Sequence, residues 1–222
     1  MIATISADIV RSTSLPKEDR TALCNNLRGV IAYLEKTCPG FRGRIVRGDG
    51  MECLVTEYRQ VLRMAMLIKL FVKVQVAGMA CHDLLRQHGI RFSIGMGEDD
   101  GAGSREDVMD SPVLSLSDRN LEKMSGTNLY TAFEMDHAPQ FVNHMLGSYV
   151  AMLGNFVDLY SAQQSELVFY KLQGRNEEEI GERIGMTPSS VTSQLQGTQW
   201  GLLRTALKDF EIIDFKKMYS NT

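Results

Sequence analysis

The pattern of hydrophobic and polar positions predicts alternating strands and helices over the first hundred residues. Residues 1–10 are rich in β-branched and small apolar side chains, which is typical of a strand covered on both faces. In residues 17–38 apolar side chains recur at helical spacing between Pro16 and Pro39, which suit the start and the end of a helix. The remaining predicted elements are hairpin strands at 42–46 and 51–55, one long helix at 59–88 and a strand at 91–98.

This βαββαβ order is the ferredoxin-like arrangement, in which the third strand lies between the first and second and runs antiparallel to both. The end of the first strand and the hairpin turn then lie at one sheet edge, and neighbouring strands are only about 4.8 Å apart. Asp8 ends the first strand and Asp49 occupies the turn "GDG", so we expect both carboxylates to face one spot. Converging carboxylates repel unless a cation or proton lies between them, and oxygen ligands suit Mg²⁺ or Mn²⁺ carrying phosphate. The alternative is that Asp8 hydrogen-bonds within a loop and Asp49 only forms the turn.

In the last third of the chain, apolar spacing and capping residues predict three short helices with a sharp turn between the second and the third. Asn176 and Glu179 form a capping box for the second helix. Gly185 makes the turn, and Thr187 caps the third helix with Pro188 at its first position. This spacing is typical of a helix-turn-helix, whose third helix enters the major groove of DNA.

The polar face of this third helix, with arginines from outside it, provides the candidate DNA contacts. Glutamine can read adenine, and serine or threonine can bond base edges or phosphates. The stretch 184–203 has no lysine or arginine, so other arginines or a second copy of the chain would supply phosphate contacts. The candidates are Thr187, Ser189, Ser190, Thr192, Ser193, Gln194, Gln196, Arg175 and Arg183. The alternative is a three-helix module used only for packing or assembly.

Composition narrows the class of protein. A chain of 222 residues that is 44% hydrophobic can bury a sizeable core. Its formal net charge of -3 argues against binding nucleic acid by bulk positive charge, so any DNA contact must be local. The 4 cysteines lack metal-binding spacing and no signal peptide is visible, so we expect reduced thiols and a cytoplasmic protein. Charged residues interrupt the most apolar stretch, 61–85, which predicts a buried amphipathic helix and no membrane partner.

A wide apolar face with helical periodicity runs through residues 139–157. Two interpretations stay open. The helix packs on its own domains, or it is a dimerisation helix, and we expect a homodimer.

Four short motifs resemble those of class III nucleotidyl cyclases. "SADIVRST" is similar to their first metal motif, "RGDGMECLV" to their second, and "RFSIGMGE" to the glycine-bearing strand that follows. "SPVLSLSDRNLEKM" is similar to their glycine-to-arginine helix. Together with the predicted helix-turn-helix, these motifs resemble the SatD family, in which a cyclase-like domain precedes a helix-turn-helix.

The resemblance implies roles for individual residues. Asp8, Asp49 and the backbone carbonyl of Ile9 would hold Mg²⁺ or Mn²⁺ with a purine nucleotide, and Arg119 would be the catalytic residue that neutralises phosphate charge. The implied nucleotide contacts are Arg11, Ser12 and Ser115. Arg11 stands where these cyclases have glycine, and Ser115 where they have asparagine. These departures alter positioning groups, on which such catalysis depends, and favour a degenerate sensor over an active cyclase.

We therefore predict an α+β protein with three parts: a cyclase-like ferredoxin-fold domain at 1–133, a connecting helix at 134–160, and a helix-turn-helix domain with its tail at 161–222. The predicted function is a bacterial DNA-binding transcriptional regulator whose first domain binds a nucleotide or metal. The alternative is a divergent nucleotidyl cyclase or another nucleotide-processing enzyme. The acidic, glycine-rich residues 98–110 are predicted to form a flexible connection between strands.

Overall fold

The computed structural model describes residues 1–46, 48–98 and 111–219. Apart from Glu98, the predicted connection at 98–110 lies outside these residues. The described chain is an α+β protein, with a mixed sheet and its helices followed by a C-terminal run of helices.

Five strands of the described chain form one sheet in the order β2-β3-β1-β4-β5. As predicted, β3 lies between β1 and β2 and runs antiparallel to both. On the other side, β4 is antiparallel to β1, and β5 is parallel to β4. The strands are β1 Ile2–Ile9, β2 Phe41–Val46, β3 Gly50–Val55, β4 Ile90–Gly97 and β5 Thr131–Met135.

Helices form where the sequence carries helical periodicity and capping residues. Both predicted caps in the last third are present: Asn176 and Glu179 make a reciprocal capping box, and the Thr187 hydroxyl accepts the Ser190 N–H. The helices are α1 Lys17–Thr37, α2 Val61–Val76, α3 Asp83–His88, α4 Pro112–Lys123, α5 Gln140–Asp158, α6 Ala162–Leu172, α7 Glu177–Ile184, α8 Pro188–Gly197, α9 Trp200–Glu211 and α10 Phe215–Tyr219.

The prediction of one long helix over 59–88 is wrong. The main helix α2 ends at Val76, and the separate helix α3 begins at Asp83. Gly78 lies in the break, where its low helix propensity favours leaving the helix. The ring nitrogen Nδ1 of His82 then accepts the Leu84 N–H at 3.1 Å, which caps the new helix.

The sheet is covered on both faces. Helices α1 and α2 pack on one face, and α4 packs on the other against β1 and β4. On the α4 side the hydroxyls of Thr4 and Ser6 lie 2.9 and 2.7 Å from the Ser117 hydroxyl. A Cβ on Gly95 would lie 2.6 Å from the Val113 carbonyl oxygen, so this glycine is what allows α4 to approach β4 closely.

One hydrophobic core extends from the sheet into the C-terminal helices. Helix α6 packs along α2. Arg63 on α2 pairs with Glu211 on α9 at 2.6 Å. The two parts predicted as separate domains therefore share buried apolar surface.

A buried ionic cluster lies between α2, α3 and α5. Lys69 is fully buried, its Nζ lies 2.8 Å from Asp158 Oδ1, and it donates to the carbonyl oxygens of His88 and Ile90. The other carboxylate oxygen of Asp158 lies 2.7 Å from His88 Nδ1. The His88 ring stacks on Tyr130 with centroids 3.5 Å apart.

Lys73 makes a second set of contacts one turn further along α2. Its Nζ donates to the carbonyl oxygens of Gln87, Val157 and Asp158 at 2.8–3.1 Å. These carbonyls belong to the last turns of α3 and α5, where helices leave carbonyl groups unpaired. Burial lowers the pKa of Lys69, and it lowers the pKa of Lys73 to about 8; in both cases the Asp158 carboxylate opposes the shift.

This cluster explains the charges that interrupt the most apolar stretch. Lys69 and Lys73 lie on the core helix α2, and their ammonium groups cap the C-terminal ends of α3 and α5. In the part of the chain that the structure describes, none of the helices has both the length and the apolar character needed to cross a bilayer.

The turn that joins α7 to α8 packs closely against Gly181. A Cβ on this residue would lie 2.4 Å from the Met186 carbonyl oxygen. The turn between the helices passes through Gly185, which has a φ of 72°. The close approach of this turn therefore requires glycine at 181, and its left-handed conformation favours glycine at 185.

We expect Lys69→Met to lower the free energy of unfolding by about 3–5 kcal/mol, because it leaves the Asp158 carboxylate buried without its ammonium partner. The double variant Lys69→Met/Asp158→Asn should lose less than the single variant, since the buried charge is also removed. Lys208→Met, at an exposed position of α9, is the control and should change stability by less than about 0.5 kcal/mol. Urea unfolding measures all three. A double variant that loses as much stability as Lys69→Met, or more, would contradict the interpretation.

Gly181→Ala and Gly201→Ala should change stability in opposite directions. At Gly181 the new methyl group meets backbone, so we expect a loss of about 1–3 kcal/mol. Gly201 lies at an exposed position of α9, where a Cβ meets nothing within 4 Å. Alanine there should therefore raise the free energy of unfolding by up to about 1 kcal/mol through helix propensity. Equal effects in urea unfolding would show that the turn between α7 and α8 does not require glycine at 181.

Candidate functional site

The predicted convergence of two carboxylates is found at the end of β1. Asp8 lies opposite Gly50 in the β1–β3 register, which brings it beside the turn that carries Asp49. Both side chains line a cavity of about 340 Å³ between the sheet and α4. Among its described lining residues, the carboxylates Asp8, Asp49, Glu52, Asp118 and Glu122 face one guanidinium, that of Arg91. The cavity is therefore strongly acidic.

Arg91 is the cation that lies between these carboxylates. Its Nε and Nη2 donate to the two oxygens of Asp8 at 2.5 and 2.6 Å. This bidentate pair raises the pKa of Arg91, and the nearby charge of Asp49 acts in the same direction. The sequence analysis missed Arg91, although it opens the strand "RFSIGMGE" that pairs with β1 directly opposite Asp8.

The described residues do not fit the predicted Mg²⁺ or Mn²⁺ site in this arrangement. Both oxygens of Asp8 already bond to Arg91. Ile9, whose carbonyl is the third implied ligand, is buried in the β1–β4 pairing. Across residues 1–46, 48–98 and 111–219 no group of three or more His, Cys, Asp or Glu side chains could hold an ion. Metal binding stays a prediction that requires the Asp8–Arg91 pair to open.

Asp49 also lines a second cavity, of about 420 Å³, at the start of α1. Here the lining includes Ser12, Arg20 and Arg28, whose hydroxyl and guanidinium groups suit phosphate. The Cys24 thiol lies between the arginines in sequence and contacts the Gly48 carbonyl at 3.1 Å, which holds the turn against α1. Burial raises the pKa of Cys24, so the thiol stays protonated.

The sequence analysis named Ser12 but missed the two arginines of this cavity. A signal was present, because Arg20, Cys24 and Arg28 recur every four residues and so share one face of α1.

The other predicted nucleotide contacts lie elsewhere. Arg11 is exposed, has a left-handed φ of 52°, and lines a different cavity with Arg91 and Tyr130. Ser115 and Arg119 are exposed on α4 and are not among the described residues that line the acidic cavity. The structure therefore brings Asp8 and Asp49 together but separates them from Ser115 and Arg119.

Most of the predicted DNA contacts form one exposed surface on α8. Val191 and Leu195 are buried against the neighbouring helices. The opposite face is open to solvent, apart from the half-buried Gln194. Its exposed polar residues are Thr187, Ser189, Ser190, Thr192, Ser193 and Gln196.

Arg175 and Arg183 lie away from this α8 surface. They line a cavity between α1, α2 and α6. Arg183 lies over the Tyr170 ring, and its Nε donates to the Tyr170 hydroxyl at 2.9 Å. A role for these arginines in DNA binding stays a prediction.

The chain matches no protein-family model, no curated protein and no solved structure. Its function is therefore argued from the geometry and charge of the described residues.

Proposed function

We propose that the protein binds DNA through α7 and α8, acting as a helix-turn-helix transcriptional regulator. The observation that carries this proposal is the surface of α8, where short polar side chains cover one exposed face while Val191 and Leu195 hold the other in the core. Side chains of this kind can form hydrogen bonds with base edges, and the backbone N–H groups at the α8 N-terminus can donate to a phosphate. The tight turn between α7 and α8, which packs against Gly181, supports the same class of motif.

The first part of the chain is proposed as the sensor domain of this regulator. The strand order β2-β3-β1-β4 is that of a ferredoxin-like sheet, and β5 extends its edge. This order supports the resemblance to the cyclase-like domain of the SatD family. Both oxygens of Asp8 are occupied by Arg91, which supports a degenerate sensor and not an active cyclase.

A homodimer is part of the proposal, because one chain offers little positive charge near α8. The exposed side of α5 carries Phe141, Met145 and Met152, which are 65%, 69% and 72% exposed. The opposite side of the same helix packs on β5. An apolar face of this kind favours self-association and would place two α8 helices in one particle.

We expect Thr192→Glu to weaken DNA binding by about ten-fold or more, because a carboxylate on α8 would repel the phosphates. Thr205→Glu, at an exposed position of α9, makes the same change of residue and charge and should have a much smaller effect. Fluorescence anisotropy with duplexes from upstream of the protein's own coding sequence, and with random-sequence duplexes, measures both. The wild-type affinity should fall steeply with salt. Equal losses of DNA affinity in the two variants would exclude α8 as the helix that contacts the bases.

Nucleotide binding is the second candidate function. The specific observation in its favour is the cavity in which Ser12, Arg20 and Arg28 lie together beside Asp49. Phosphates are better accommodated there than in the acidic cavity. The competing enzyme hypothesis, a divergent nucleotidyl cyclase, uses the same residues.

We expect ATP or GTP, with Mg²⁺ or Mn²⁺ present, to raise the melting temperature of the wild type, because a ligand of the native state stabilises it by mass action. Arg28→Met should reduce this shift, whereas Lys36→Met, at an exposed position of the same helix, should not. An identical shift in both variants would exclude the cavity as the nucleotide site. Formation of a cyclic nucleotide, lost in Asp49→Ala, would favour the enzyme, and binding without product would favour the sensor.

A further inference from the structure

A cavity of about 500 Å³ lies where the two parts of the chain meet. Its walls come from α1 and α2 on one side and from α6 and α7 on the other. This volume is within the range of small-molecule sites in proteins, about 300–1,000 Å³. Its lining includes Gly29, Tyr33, Phe71, Phe169, Tyr170, Arg175 and Arg183.

The charge of this cavity is unbalanced. Arg175 and Arg183 both line it, and no carboxylate is among the described residues that do. Two guanidinium groups in a cavity with no carboxylate among its described lining residues attract an anion and can bind it in a bidentate manner.

Within the described chain the side chain of Arg175 has an unsatisfied hydrogen-bond donor. Its Nε is buried and has no hydrogen-bond partner among the described residues. A buried donor left unsatisfied costs about 1–3 kcal/mol, so such a group calls for an acceptor. The terminal nitrogens of Arg175, unlike Nε, are accessible and make no hydrogen bond within the described chain, so they can donate to the anionic group of a ligand in this cavity.

Arg183 is held in place beside it. The guanidinium carbon lies 5.3 Å from the Tyr170 ring centroid, and Nε donates to the Tyr170 hydroxyl. This contact occupies one face of the tyrosine and orients the guanidinium. Within the described chain the terminal nitrogens of Arg183 make no hydrogen bond or ion pair, so they are available to the same anion.

The remaining walls suit a planar apolar group. Phe71 and Phe169 lie with ring centroids 5.9 Å apart, and Tyr33 and Tyr170 are half-buried in the same cavity. Aromatic side chains stack on flat rings and bury large apolar areas. The cavity thus combines an anion-binding pair with aromatic walls.

Gly29 keeps one wall of the cavity open. It lies in the interior of α1, where glycine costs about 1 kcal/mol relative to alanine. A Cβ at this position would meet nothing within 4 Å, so packing does not require glycine there. The absent side chain leaves space for a ligand.

We propose that this cavity binds a small anion that carries a planar ring, with Arg175 and Arg183 on the anionic group and the aromatic side chains on the ring. The ligand contacts α1 and α2, which pack on the sheet, and α6 and α7, which precede α8. It therefore holds the sheet-forming part of the chain and the C-terminal helices together. This site is separate from the nucleotide cavity at Ser12, and it does not depend on DNA binding.

The test measures thermal unfolding and calorimetric binding without DNA, using AMP, GMP and benzoate as ring-bearing anions. Inorganic phosphate and adenosine serve as the two halves of the ligand. At least one ring-bearing anion should bind, more tightly than either half. Arg175→Met and Gly29→Phe should each weaken binding by about ten-fold or more, the first through the lost charge and the second by filling the cavity.

Matched controls separate this site from the others. Gly29→Ala should retain binding, as should the exposed Arg204→Met. The melting temperature of ligand-free Arg175→Met should stay the same or rise, because an unsatisfied donor is removed. The proposal is overturned if none of the three ring-bearing anions binds, or if Arg175→Met or Gly29→Phe binds as the wild type does.

Discussion

The contacts of Lys69 and Lys73 with the ends of α3 and α5 are the interaction on which the rest of the structure depends. Two ammonium groups of one core helix satisfy carbonyl groups that would otherwise be buried without donors, and the Asp158 carboxylate pairs with one of them. Because α3 leads directly into β4, these contacts fix where that strand begins and so place Arg91 opposite Asp8. Because α5 leads into α6, they also set the position of the C-terminal helices against α2.

Charge is segregated around this framework. The carboxylates gather between the sheet and α4, whereas Arg20 and Arg28 lie on the α1 side of the same turn. Arg175 and Arg183 form a third group between the two parts of the chain. A phosphate-bearing ligand is therefore favoured on the arginine-lined surfaces and disfavoured in the acidic cavity. This separation is why the convergence of Asp8 and Asp49 alone does not define a metal centre.

The candidate site was predictable only where topology alone decides proximity. Asp8 and Asp49 could be placed together because strand order determines which ends share an edge. The guanidinium between them could not, because the pairing of Asp8 with Arg91 depends on the register of β1 against β4, and one residue of slip would turn Arg91 to the other face. Arg119 was assigned through a resemblance, and its exposure on α4 follows from how that helix packs on Thr4 and Ser6.

Local interactions are what the sequence by itself determined in this protein. The caps at Asn176 and Thr187, the turn at Gly185 and the strand order all follow from residues close in sequence or from short connections. Tertiary structure alone decided the pairing of Lys69 with Asp158, which are 89 positions apart along the chain, and the meeting of Gly29 with Arg175 at one cavity. Such contacts carry no local signal, because their free energy arises only when burial removes charged and polar groups from water.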